Sequence, residues 1–287
     1  MKTLVTAMLV IAAAPLIADD SGPSIVDDAG SSVADEAVTL RYRLTEGEQL
    51  RYRVTHVAKT KTTINGTEEL SDMTSESVRH WDVTAADDTG ATFDHVIDSV
   101  DMTQVDGEGD QRGWSSESGE EPPTRFQGVA DKVGTVIATV TINPRGQELG
   151  RADDQSIKTD LGMGGLTLAL PEAPVAVGSS WSVPREIRVR DDNGDRQTIK
   201  IQERYTLRKV KTGVAVIDVR SEPITPIRSQ AVQSQVVQQL SNGTVRFDID
   251  AGHLISKTLD WDENVVGFRG PASAMSYRAN LTETLIR

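Results

Sequence analysis

A mainly β fold of antiparallel sheets, in two similar halves with one or two short helices, is what this sequence predicts. Three observations carry the prediction: apolar residues recur at every second position, glycine-centred turns punctuate the chain, and only one segment has a clear helical period. The last strand is the plainest case. From Met275 to Leu285 the odd positions Met275, Tyr277, Ala279, Leu281 and Leu285 are apolar or aromatic, the even positions are polar, and Glu283 is the one exception. Such alternation puts one face in a core and the other in water, as antiparallel sheets do.

The same pattern in Leu40, Tyr42, Leu44 and in Leu50, Tyr52, Val54, on either side of Glu46-Gly47-Glu48, predicts a hairpin. Two further turns, at residues 192–195 and 211–213, supply residues that tolerate positive φ. Ser229 to Leu240 is the helix: Val232, Val236, Val237 and Leu240 recur every three to four residues ahead of Asn242-Gly243. Residues 153–168 are a weaker helical segment, because Gly162, Gly164 and Gly165 break its end.

The organisation follows from composition. Lys2, an apolar run from Leu4 to Leu16 and Ala18 form a signal peptide over 1–18, too short for a bilayer-spanning helix, with cleavage expected after Ala18. No cysteine is available for a lipid anchor or a disulfide. Residues 19–37 hold six acids and no base and read as a disordered spacer; residues 38–152 form the first β half, with a long, mobile, acidic Ser/Gly-rich loop at 106–123. Residues 153–174 are the weak helix and connector, and 175–287 the second β half. The formal charge of −13 excludes nucleic acid as a partner. The expected destination is the periplasm or the outside of the cell, with no transmembrane segment.

The halves show matching punctuation. Gly47, Asn65-Gly66, Trp81 and Gly90 are followed by Gly134, Ile142-Asn143 and Gly146. Gly178, Asn193-Gly194, Tyr205 and Gly213 are followed by Gly243, Ile249-Asp250 and Gly252. The order agrees and predicts an internal repeat, although the two helical segments fall on opposite sides of the closing hairpin.

Two phrases carry a resemblance: residues 175–181, Val-Ala-Val-Gly-Ser-Ser-Trp, and residues 247–254, Phe-Asp-Ile-Asp-Ala-Gly-His-Leu. Over roughly residues 38 to 287 the chain resembles a family of exported bacterial β-proteins of unknown function, some of them similar in fold to half-barrel lipoprotein carriers. The resemblance implies curved sheets, half-barrel or sandwich-like. By analogy alone it also implies a carrier role.

Catalytic chemistry finds little to use. His80 and His95 flank one turn beside Asp82 and Asp94, but burying Trp81 and Val83 on the same face as Phe93 and Ile97 sends the two histidines to opposite faces. His56 and His253 stand alone. Asp191, Asn193 and Asp195 alternate like calcium ligands, yet Arg196 and Gln202 stand where the loop needs glycine and glutamate. No nucleophile elbow occurs, and Ser179 and Ser180 have no partner base. The sequence therefore predicts no metal, no cofactor and no enzyme, with a hydrolase lacking any recognisable motif as the alternative.

The candidate ligand-binding residues are basic and aromatic. In the expected first hairpin Arg41, Arg43, Arg51 and Arg53 share a face, with Arg43 opposite Arg51; Arg188, Arg190 and Lys200 form a similar face in the second half. Arginine forks suit phosphate and carboxylate, so these faces would dock an anionic lipid, a glycan or an envelope protein, unless the acidic segments neutralise them. Trp114, in the acidic loop, is a further anchor. The function expected is an exported, non-enzymatic protein that binds or carries an amphipathic or anionic envelope ligand. A structural or interaction module of the cell surface is the other reading. The sequons at Asn65, Asn242 and Asn280 matter only in a eukaryotic source.

Overall fold

A computed structural model describes residues 37–105, 107, 109–153, 166–191 and 193–286. The signal peptide, nearly all of the spacer and most of the weak helical segment lie outside these residues. Strand dominates, and all the strands belong to one antiparallel sheet of twelve that does not close.

Six strands come from the first half: β1 (Gln49–Ile64), β2 (Thr67–Asp87), β3 (Gly90–Val105), β4 (Gln111–Ser115), β5 (Val136–Ile142) and β6 (Glu148–Asp153). The other six are β7 (Ser180–Arg190), β8 (Arg196–Lys211), β9 (Val214–Pro223), β10 (Asn242–Asp248), β11 (His253–Val266) and β12 (Ser273–Ile286). Their spatial order is β6-β5-β3-β2-β1-β12-β11-β10-β9-β8-β7, with β4 added beside the end of β3. The first half runs four strands, a short helix and a hairpin; the second runs three strands, a short helix and three more strands. The helices are α1 (Gln127–Ala130) and α2 (Gln230–Val236), the latter continued by a 3₁₀ turn over Val237–Gln239.

The sheet is strongly curved. Strands sit about 4.8 Å apart, so the six steps from β5 to β10 would cover roughly 29 Å if flat. Yet Tyr42 reaches both sides: its N–H donates to Pro144 O, just after β5, at 2.7 Å, and its ring meets Phe247 of β10 edge-on at 5.3 Å. The face carrying Tyr52, Trp81, Phe93, Val140, Ile217, Phe247 and Leu281 is therefore concave, and these residues form one core. α2 lies on this same face, burying Val232 and Val236 against Ile187, Val189, Ile199 and Ile201.

The first hairpin does not form. Residues 39–45 are outside any strand and cross one end of the concave face as a strap, while β1 pairs with β2 and β12. Leu40 and Tyr42 alternate with arginines because one side of the strap faces the core, not because it is a strand. Two glycine turns admit it. Gly146 packs against the Tyr42 ring and Gly252 against the Arg43 backbone, both at positive φ, where a Cβ would collide. Val38 and Val175 exchange backbone hydrogen bonds at 2.8 and 2.9 Å, and Leu168 N–H bonds the Tyr42 hydroxyl.

Three smaller expectations change. The acidic stretch 106–123 contains β4, because Gln111–Ser115 finds the backbone of Asp101–Val105 free beyond the end of β5. The helix over 229–240 is present, capped by Ser229 Oγ, but Asn242-Gly243 opens β10 rather than stopping the helix. Of the weak helix, residues 166–168 are not helical and 154–165 lie outside the described residues. Among the described residues no helix is long and apolar enough to cross a membrane.

Candidate functional site

The residues singled out in the sequence part company in the first half. Arg41 turns back along the strap and donates to the carbonyls of Pro171 and Glu172; Arg43 bonds Asp250 O at 3.4 Å. Arg51 faces His80 on β2, not Arg43, and grips Asp98 at 2.9 and 3.2 Å, while Arg53 lies 3.3 Å from Glu76. The four-guanidinium face is thus replaced by separate contacts, since the strap and β1 are not paired strands. In the second half the face does form. Arg188, Arg190 and Lys200 point to the same exposed side of β7 and β8, with Glu186 4.0 Å from Lys200. Trp114 lies opposite Met102 on β3 and donates its indole N–H to Glu120 O at 3.1 Å.

The register places the histidines as parity requires. His95 is opposite Trp81 on the concave face, 4 % exposed, whereas His80 lies on the convex face between Asp98 at 2.6 Å and Asp82 at 3.0 Å. Asp191 is occupied within its own turn, accepting from the N–H groups of Asn193 and Asp195 at 2.9 Å. No cluster of three or more His, Asp or Glu that could hold a metal occurs among the described residues.

A different group of charged residues meets on the concave face. Glu283, on β12, is 7 % exposed and accepts a 2.6 Å contact from Lys257 Nζ on the adjacent strand β11. On β2, Arg79 Nε donates to Ser77 Oγ at 2.9 Å. Arg79 is partly buried on the concave face, opposite Tyr52 of β1. Burial pulls its guanidinium below the usual range, and the Glu283 carboxylate opposes that shift.

Two neutral imidazoles surround this centre. Burial first, and then the Arg79, Arg151, His80 and Lys257 charges, push His95 down to about 3. His56 is lowered by burial and by Arg79, and its ring stands 6.3 Å from Trp261. Trp261 Nε1–H is buried and has no hydrogen-bond partner. Burial and then Glu283 hold the Tyr52 hydroxyl well above its usual range, so it remains a donor, bonded to Leu254 O at 3.2 Å.

The site is therefore an electropositive centre within apolar walls. One carboxylate is shared among cations, and further along β11 the Trp261 indole N–H is an unused donor. Such an arrangement can make charge-assisted hydrogen bonds and, beside them, apolar contacts. One residue was visible in the sequence, since Glu283 breaks the alternation of β12. Lys257 and Arg79 also occupy the core-facing parity, but only the register of β1, β2, β11 and β12 brings them together.

Fold and site together define a class: an open, strongly curved antiparallel β sheet with charged groups on its inner face. No protein-family model matches the chain, and no curated protein is similar to it in sequence.

Proposed function

We propose that this is an exported, non-enzymatic binding or carrier protein whose concave face takes an amphipathic anion. The observation that carries the reading is the buried Lys257–Glu283 pair with Arg79 beside it, on the same face as the core, which also leaves the Trp261 indole N–H without a partner. Burying charge costs several kcal/mol unless it is well paired, so such a cluster argues for a role beyond packing. An anionic head would meet Lys257 and Arg79. Its apolar part would lie along the partly exposed Met73, Met102 and Trp114, on the same side of β2, β3 and β4. Trp114 thereby keeps the role its sequence position suggested.

The likeness to half-barrel carriers supports this reading by analogy of fold. The order of meander turns, helix and glycine turn, ending at Gly146 in one half and Gly252 in the other, is what a duplicated unit would leave. The signal peptide supports a destination in the periplasm or outside the cell. The test is titration of the full chain with a dansylated long-chain fatty acid and with the matching dansylated alcohol. Saturable binding of the acid, weakened about tenfold in Lys257→Met/Glu283→Leu while the alcohol is unaffected, is the expected result. Absence of saturable binding of either probe excludes the proposal.

A further inference from the structure

β7 is the free edge of the sheet on the side of the second half. Along an antiparallel ladder, backbone groups of alternate residues point toward the neighbour and away from it. Asp191 N–H bonds across the turn to Asp195 O, so the odd residues of β7 face β8 and the even residues Glu186, Arg188 and Arg190 point outward. One of these is already engaged in an instructive way. Arg190 N–H donates to Gln235 Oε1 at 2.9 Å, and Gln235 Nε2 donates to Arg190 O at 2.8 Å. A side-chain amide from α2 thus makes the two-way pair of bonds that another strand would make. Beyond it the edge is open. Residues 186–189 border a groove of about 620 Å3, walled opposite by Gln235, Gln238 and Gln239.

From this geometry we propose that the β7 edge is a strand-addition site for an extended peptide carrying carboxylates at alternate positions. The outward backbone groups of Glu186 and Arg188 supply the next ladder positions, following the pattern Gln235 sets at Arg190. Pro184, lacking an N–H, bounds the site on the other side and limits it to about five residues. Charge selects the peptide. On the exposed face Glu186 is beside Lys200, whereas Arg190 stands opposite Arg196 and Arg188 opposite Thr198. Carboxylates on an added strand would lie against Arg188 and Arg190 and offset the like-charged pair. The intervening side chains would face the glutamines and so be small or polar. This site is independent of the concave-face ligand, since it uses none of Lys257, Glu283 and Arg79.

The test uses the full chain and a fluorescein-labelled peptide, Ser-Glu-Thr-Asp-Thr-Glu-Ser, read by anisotropy at low salt. A second peptide is identical but N-methylated at alternate backbone amides, which keeps the charge and removes ladder donors. The proposal expects micromolar binding, weakened at least about tenfold by N-methylation and about tenfold by Arg188→Glu, with slowed amide exchange at Glu186 and Arg188 on binding. Should Arg188→Glu fold poorly, Arg188→Gln with a smaller loss serves instead. Equal binding of the N-methylated peptide would reduce the site to surface charge and overturn the proposal, as would no binding up to millimolar peptide.

Discussion

Lys257 and Glu283 stand directly opposite each other on β11 and β12, 2.6 Å apart, on the face of the sheet that every neighbouring position gives to the core. Removing one partner strands the other charge in a low-dielectric interior. Lys257→Met is therefore expected to destabilise the protein by about 3–5 kcal/mol, whereas Lys257→Met/Glu283→Leu falls close to wild type or above it. Denaturant unfolding of the two variants checks this, and equal losses would contradict it.

Acid should act through His95. Its folded pKa, about 3, lies below the unfolded value near 6.5, so the unfolded chain binds the extra proton first. The stabilising contribution is complete above roughly pH 6.5 and is lost as pH falls toward 3, amounting to about 2 kcal/mol by pH 5. His56 shifts in the same direction and adds to the trend. Thermal melts of His95→Gln should show a flatter profile between pH 7 and 5; an unchanged slope would count against the assignment.

Gly252 and Gly47 separate strain from collision. Both have positive φ, 71° and 82°, but a Cβ at Gly252 would lie 2.5 Å from Arg43 N, whereas Gly47 has open space around it. Gly47→Ala should cost about 1 kcal/mol for the backbone conformation alone, and Gly252→Ala at least about 3 kcal/mol because the strap must move. Similar losses in the two variants would show that the strap yields freely.

Arg41 and Arg53 were equals in the sequence and should not be equals in stability. Arg41 ties the strap to two carbonyls of the 171–172 segment, so Arg41→Gln is expected to cost about 1–2 kcal/mol. Arg53 and Glu76 are each about half exposed, and Arg53→Gln should change stability by no more than about 0.5 kcal/mol. Chemical denaturation reads both, and a larger loss for Arg53→Gln would reverse the ranking.

How far the sequence could be read depended on the range of the interaction. β12 was legible from Met275 to Leu285 because alternation is a local consequence of the pleat. α2 was legible because Val232 and Val236 recur at helical spacing. The strap was misread. Leu40, Tyr42 and Leu44 carry the strand pattern, yet Tyr42 bonds Pro144 and Leu168 and Arg43 bonds Gly252, all more than a hundred residues away. β4 was missed because its strand has no apolar periodicity and needs only a free ladder position on β3.

By itself, then, the sequence determined the mainly β class, the helix at Ser229, the opposite faces of His80 and His95, and the anomaly of Glu283. Each rests on side-chain parity within a strand or on spacing along a helix. Only the tertiary structure decided that one curved sheet holds all the strands, that the arginines of the first half disperse, and that Glu283 meets Lys257 near Arg79. Those outcomes depend on which strands become neighbours. Register between distant segments is set by the collective burial of the whole concave face, a quantity that no local pattern encodes.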